Sequence, residues 1–231
     1  MALKPVTASA PYSTAVIKQQ ITCQTEEAKG FLGHRLGTLS VALFILDVTS
    51  RKRIARLNLS QKEHKAASKA LNKLFNDFEK DIADETARIE AVLKAQKITA
   101  RAEHNNPGSA TVEITTPELR RAMEILLSFD NLIILVDTAW LMGIMDTEVA
   151  NTYRKQKTSQ FRNLLSNIYK LSKAAKASAF IKDDEEAKAA IAREEEKHGG
   201  PDNEGAQPDA SDQEPMPAAA EGKTGEKSEA A

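Results

Sequence analysis

Polar and apolar residues alternate from Thr14 to Gln24, which predicts a short β-strand. The apolar face carries Ile17, Ile21 and Cys23. The polar face carries Lys18, Gln20 and Thr22. Gln19 interrupts the apolar face. A strand this short needs a partner strand, and a second copy of the same chain is a candidate partner.

Two helices are predicted directly after this strand. Thr25 followed by two glutamates is typical of a helix N-cap, and the helix should run to about Leu36. Gly37 is expected to end it as a C-cap, and Thr38 or Ser40 can cap a second helix. The predicted order is therefore strand, helix, turn, helix.

Three longer helices and a second strand follow. Apolar residues at alternating spacings of four and three predict a long helix over about Gln61–Lys97. Thr111–Thr115 can form a short strand, and Thr116 with Pro117 starts the next helix. That helix is apolar nearly all round over Ile125–Met145, which predicts a central buried position. Asp146 or Thr147 opens the last helix, whose inward stripe contains Phe161, Leu164, Leu165, Ile168 and Leu171.

Charge divides the chain into a basic body and an acidic tail. The net charge of the 231 residues is −1, but Asp183–Ala231 has 15 acidic and 5 basic residues. We therefore expect a flexible arm at 1–13, a strand–helix–helix head at 14–57, a helical body at 58–181 and a disordered acidic tail at 182–231. A basic surface of this kind suits a polyanion such as DNA, and an acidic tail can compete with it for the head. Deletion of the tail is therefore expected to strengthen nonspecific DNA binding at low salt.

The sequence offers little for catalysis, and no enzyme activity is expected. The four histidines, His34, His64, His104 and His198, lack metal-ligand spacing, so no cofactor is expected. Asp130 and Asp137 could form a paired-carboxylate site, but a structural role with hydrogen bonds is favoured for each. One cysteine and no secretory signal favour the cytoplasm, and the acidic residues within Ile125–Met145 argue against a membrane span.

The polar face of the first strand carries side chains suited to DNA bases. Two such strands paired antiparallel form a ribbon that a DNA major groove accepts. Lys18 suits guanine, Gln20 suits adenine, and Thr22 suits a polar edge or the thymine methyl group. The same residues are equally compatible with the solvated face of an ordinary edge strand.

Phosphate contacts are expected from basic residues and hydroxyls around the two helices. The candidates are Lys29, Arg35, Thr38, Ser40, Arg51, Lys52, Arg53 and Arg56.

The order of strand, short helix, Gly-Thr turn and second helix resembles the ribbon-helix-helix fold. The stretches ITCQTEEAKGFLGHRLG, ELRRAMEILLSFDNLIILVDTAWLMGIMD and FRNLLSNIYKL are similar to the extended ribbon-helix-helix conjugation regulators of the AcaB type. The similarity spans about Ala15–Lys173. It implies a mainly α fold and a homodimer that binds promoter DNA through its ribbon and activates conjugation regulators of plasmids or integrating elements.

The resemblance places Lys18, Gln20 and Thr22 at the groove-reading positions and Thr38 at a phosphate. The expected function is thus a sequence-specific, DNA-binding transcriptional regulator without a membrane partner. The additional helices can build the dimer, a dimer of dimers or a surface for RNA polymerase. The alternative is a helical scaffold for protein interactions that has no specific DNA affinity.

Overall fold

The computed structural model describes residues 15–55, 61–177 and 185–198, with side chains described except at 49–55, 61–66, 186 and 187. It is mainly helical with one short two-stranded sheet, which confirms the predicted fold class. The elements in chain order are β1 Ile17–Cys23, α1 Glu26–His34, α2 Leu36–Ala55, α3 Gln61–Ala95, β2 Gly108–Ile114, α4 Pro117–Leu141, α5 Thr147–Lys176 and α6 Glu185–His198.

Side-chain caps begin two of the helices as the sequence predicted. The Thr25 hydroxyl accepts a hydrogen bond from the Ala28 amide at the start of α1. The Thr116 hydroxyl accepts one from the Leu119 amide at the start of α4. Each cap satisfies a backbone donor that the first helical turn leaves unpaired.

The joint between α1 and α2 differs from the prediction. Arg35 caps α1 in a right-handed conformation, with φ −114° and ψ −6°, and α2 begins at Leu36. Gly37 therefore lies in the first turn of α2, and it is not among the residues with positive φ. A left-handed glycine is unnecessary here because the chain passes almost directly from one helix into the next.

β1 pairs antiparallel with β2 of the same chain. Ile17 lies opposite Ile114 and Cys23 lies opposite Gly108. The partner strand of β1 in this structure therefore belongs to the same chain, whereas a second copy was expected in that place. Within the described residues the sheet has only these two strands, so the other edge of β1 is the one that a second copy would use.

The core joins the small sheet and the first five helices in one apolar cluster. At its centre the rings of Phe31 and Phe161 are 4.5 Å apart, and those of Phe129 and Phe161 are 5.1 Å apart and stacked. Phe78 completes the group at 5.5 Å from Phe161. One residue each from α1, α3, α4 and α5 meets here, so the head packs directly on the helical body.

The acidic segment that begins at residue 182 is not entirely without structure. Glu185–His198 forms α6, and Ile191 of α6 is buried against Val41, Phe44 and Ile45 of α2. The expectation of disorder from residue 182 is corrected for this helix. Its composition is polar, but a single buried isoleucine gives it an apolar contact with the head. Residues 199–231, and the arm expected at 1–13, lie outside the described residues.

No single helix among the described residues is both long and apolar enough to span a membrane. Glu26–His34 and Leu36–Val48 reach the required composition only together, and they are bent by 60° at their joint.

Candidate nucleic-acid interface

The outer face of the sheet presents the three side chains that were predicted to read bases. Lys18, Gln20 and Thr22 are all exposed. The register places Glu113, Thr111 and Ser109 opposite them in that order. The Lys18 ammonium is 3.5 Å from the Glu113 carboxylate, and the Thr22 and Ser109 hydroxyls are 2.8 Å apart.

The inner face of β1 is buried only at the carboxyl end of the strand. Ile21 and Cys23 are fully buried, as predicted, but Ile17 is 67% exposed. Ile17 was expected to face the helices, and this expectation is wrong: its side chain lies at the surface, although Ile114 opposite it on β2 is buried. Burial, reinforced by the charge of Asp130, raises the pKa of the Cys23 thiol to about 12. The thiol is therefore protonated at neutral pH, and β1 is anchored by an unreactive cysteine.

Asp130 of α4 holds the junction between β1 and α1. Its carboxylate accepts hydrogen bonds from the Gln24 amide at 2.8 Å, the Thr25 amide at 2.9 Å and the Thr25 hydroxyl at 2.7 Å. Asp130 is buried, so these bonds replace the water that the carboxylate loses. The structural role that was favoured for this aspartate is confirmed, and its effect is to position the outer face of β1.

The Lys29 ammonium group makes two hydrogen bonds within the protein. It donates to the Glu26 carboxylate at 2.5 Å and to the Asn106 carbonyl at 2.7 Å. Its stem lies against Gly108, where an added Cβ would come within 2.8 Å of Lys29 Cδ. Lys29 therefore ties α1 to the start of β2, and its predicted phosphate contact would require these bonds to be exchanged.

The other predicted phosphate contacts differ in their exposure. Arg35 is half-buried, while Thr38 and Ser40 are only 7% and 4% exposed. The hydroxyls of Thr38 and Ser40 are thus not presented at the surface in this structure. The side chains of Arg51, Lys52 and Arg53, and the whole of Arg56, lie outside the described residues.

Four further residues lie at this surface that were not among the predicted site residues. They are Ser109, Thr111 and Glu113 of β2 and Lys197 of α6. The hydrogen bond from Lys197 lowers the pKa of the Glu113 carboxyl, and Lys18 acts in the same direction. The alternation along β2 gave a signal for its residues, whereas nothing local marks Lys197 as a neighbour of the sheet.

Asp137 does not form a carboxylate pair with Asp130. It contacts His104 Nε2 at 3.1 Å and Arg154 Nη2 at 2.6 Å, whereas Asp130 binds the β1–α1 junction. The two aspartates serve separate contacts, which again agrees with the favoured structural roles. In the described part of the chain, no three His, Cys, Asp or Glu side chains are grouped so that they could hold a metal ion.

A protein of known structure is similar to this chain over most of its length. No family model and no curated protein matches the sequence. The crystal structure of AcaB from uropathogenic E. coli, in its selenomethionine form, superimposes with a TM-score of 0.67. It covers 81% of this chain and 91% of that chain at 21% sequence identity. This chain has the AcaB fold.

The extent of the likeness to AcaB includes more than the strand–helix–helix head. Residues 14–57 are a small part of the chain, so coverage of 81% must take in most of the helical body. The resemblance predicted from diffuse sequence similarities is thus confirmed at the level of the fold. At 21% identity, the likeness to AcaB concerns architecture and does not extend to individual side chains.

Proposed function

We propose that this chain is a sequence-specific DNA-binding transcriptional regulator that acts as a homodimer. One observation carries the proposal: β1 exposes Lys18, Gln20 and Thr22 on one face while Ile21 and Cys23 anchor the other face in the core. An anchored strand presents its polar face in a fixed orientation, which base recognition needs. The AcaB fold supports the proposal, because it agrees with the resemblance to AcaB-type conjugation regulators, and that resemblance implies this function.

The dimensions of the sheet suggest how two copies would meet DNA. If the open edge of β1 pairs with the same strand of a second copy, four strands lie side by side in the order β2, β1, β1 and β2. The outer strands are then about 14 Å apart, whereas the major groove is about 12 Å wide. The two β1 strands therefore fill the groove, and the β2 strands lie above its rims.

This arrangement assigns different partners to the two strands. Lys18, Gln20 and Thr22 face base edges, while the hydroxyls of Ser109 and Thr111 face backbone phosphates. Lys18 is exposed and its ammonium is 3.5 Å from the Glu113 carboxylate, so little stability is lost when Lys18 turns to a base. Arg35 remains a proposed phosphate contact. The Thr38 hydroxyl is buried, so near Thr38 the proposed phosphate contact is made by backbone amides.

Selection of bound fragments from random DNA and from plasmid DNA tests the proposal. The parent protein is expected to enrich one recurrent, two-fold symmetric sequence, and the variant Lys18→Ala/Gln20→Ala/Thr22→Ala is expected to lose it. Each lost base contact removes about 1–3 kcal/mol of discrimination, so the triple variant should retain only nonspecific, salt-sensitive binding.

A matched control separates base reading from loss of charge. Ser166→Ala/Asn167→Ala/Lys170→Ala removes one lysine and two polar side chains from exposed positions of α5. It should enrich the same sequence as the parent. The proposal fails if a folded parent enriches no sequence, or if both triple variants behave alike.

Activation is the proposed regulatory outcome, and it rests on the sequence resemblance alone. We propose that the bound dimer recruits RNA polymerase to promoters of conjugation regulators. A reporter gene placed behind the enriched sequence should be expressed more strongly with the parent than with the ribbon variant. Lower expression with the parent would identify a repressor.

The surface where α4 ends and α5 begins favours the alternative function of a protein-interaction scaffold. Trp140, Leu141, Met142 and Val149 are all exposed there, and Leu141 is the most exposed of them at 63%. Exposed apolar residues in a group are typical of surfaces that contact other proteins. A scaffold would show no sequence enrichment in the selection experiment, which distinguishes the two functions.

A further inference from the structure

α6 is attached to the rest of the chain by an apolar contact with α2 and by ion pairs with α5 and β2. Ile191 is buried among Val41, Phe44 and Ile45 of α2. On the next turn, the Glu195 carboxylate is 2.5 Å from the Lys176 ammonium of α5. Among the described side chains of α6, Ile191 is the one in the buried apolar cluster, and Ala190 packs beside it, partly buried. A helix held in this way can be released at low cost.

The carboxyl end of α6 lies against the first turn of α2. A Cβ atom on Gly37 would be only 2.6 Å from the His198 carbonyl oxygen, so α6 can approach this closely because residue 37 is a glycine. The end of α6 carries the negative end of its helix dipole, and the start of α2 carries the positive end. A helix terminus therefore occupies a place that suits an anionic group such as a DNA phosphate.

The same end of α6 also reaches the outer face of the sheet. Lys197 donates a hydrogen bond to Glu113, the residue directly opposite Lys18. The last two residues of α6 thus contact both surfaces that the proposed function assigns to DNA. These are the outer face of the ribbon and the first turn of α2.

We propose that α6 is an intramolecular occupant of the DNA-binding surface and must leave the start of α2 before the head can bind DNA tightly. This inference rests on the proposed function. While α6 is in place, only the released fraction of molecules is competent to bind, so the apparent affinity falls by that fraction. The partner that displaces α6 is the DNA backbone itself.

Two matched variants test the proposal in the full-length chain. Ile191→Asp places a charge where α6 packs on α2, whereas Ala192→Asp adds the same charge at an exposed position of the same helix. Ile191→Asp is expected to bind the selected DNA sequence about five-fold or more tightly than the parent. Ala192→Asp is expected to bind like the parent. Fluorescence anisotropy with a labelled duplex measures both.

Hydrogen exchange shows whether α6 has been released. The amides of 185–198 should exchange faster in Ile191→Asp than in the parent, and faster in the parent when the duplex is added. Ile191→Ala is the milder variant if the aspartate variant does not fold. Faster exchange with unchanged or weaker DNA binding would overturn the proposal, as would parental exchange that stays the same when DNA binds.

The outcomes separate this proposal from the proposed function. If the parent and both variants fail to bind any specific sequence, the proposed function is wrong, because release of α6 would have uncovered the surface. If all three bind the same sequence with equal affinity, the proposed function stands and only the role of α6 is wrong.

Discussion

Asp130 shows how one buried side chain can determine the orientation of a strand that lies elsewhere in the sequence. Three donors from Gln24 and Thr25 converge on its carboxylate at 2.7–2.9 Å. The same threonine caps α1, so the end of β1 and the beginning of α1 are fixed by one group of hydrogen bonds. The direction in which Lys18, Gln20 and Thr22 project depends on this junction.

Replacing this aspartate should destabilise the fold. Asp130→Asn keeps the size of the side chain but places an amide donor near backbone donors, so at least one hydrogen bond is lost in a buried site. The expected loss is about 2–4 kcal/mol of unfolding free energy, measured by urea denaturation.

The control is Asn131→Ala, which changes the next residue at an exposed position and should cost less than about 0.5 kcal/mol. Parental stability of Asp130→Asn would contradict the structural role. It would instead favour a catalytic role for the Asp130 carboxylate.

At the scale of elements, the helices of the body are joined by polar clamps as well as by the core. Arg121 of α4 binds the Glu79 carboxylate through two nitrogens at 2.7 and 2.5 Å. It also contacts Asn72 at 3.2 Å and Asn76 at 2.5 Å. Its guanidinium lies over the Phe75 ring, 5.2 Å from the centroid. One side chain therefore joins α4 to three turns of α3.

The two-pronged contact of Arg121 predicts that a lysine substitution costs more stability at this position than at the neighbouring Arg120. Arg121→Lys keeps the charge but loses the two-pronged bond to Glu79, and about 1–2 kcal/mol of unfolding free energy should be lost. Arg120→Lys changes only an exposed pair with Glu124 and should cost less than about 0.5 kcal/mol. Equal stability of the two lysine variants, compared by thermal and urea unfolding, would show that the clamp does not contribute.

The elements that sequence could predict are those with local signals. Thr25 and Thr116 predict helix starts because a cap acts within three residues. The apolar stripe through Phe161 predicts a buried helix face. Two features escaped prediction. The pairing of β1 with β2 joins residues 87 positions apart, and α6 has only Ile191 to indicate that it packs.

The candidate interface could be predicted in part for the same reason. The alternation along β1 identified which residues face outward, and Lys18, Gln20 and Thr22 are exposed as expected. The burial of Thr38 and Ser40 depends on how α2 packs in three dimensions, and their own sequence neighbourhood does not reveal it.

At the scale of the whole molecule, opposite charges lie at the two ends of the sequence. Residues 199–231 contain 8 acidic and 2 basic residues, a net charge of −6. This segment follows α6 in the sequence, and α6 itself contacts the head through Ile191. Competition with DNA by charge alone acts over about 10 Å at 0.1 M salt and weakens as salt increases.

A truncation after His198 tests competition by charge while keeping α6. The shortened protein should bind mixed-sequence duplex DNA more tightly than the full chain at low salt, and the difference should disappear above about 0.3 M salt. The comparison is with Ile191→Asp, whose gain should persist at the higher salt because it depends on a packed contact. An unchanged low-salt affinity after truncation would exclude competition by charge from residues 199–231.

The pairing of β1 with β2 also has a consequence for protein synthesis. β1 leaves the ribosome long before β2, since Thr22 and Ser109 are separated by 87 positions. At about 5–20 residues per second, the strand remains without its partner for roughly 4–17 s. During that time the nascent chain exposes a strand edge that another nascent chain could bind. The polar side chains in this strand then have a second role, since they oppose its aggregation before folding is complete. They are those of Lys18, Gln19 and Gln20.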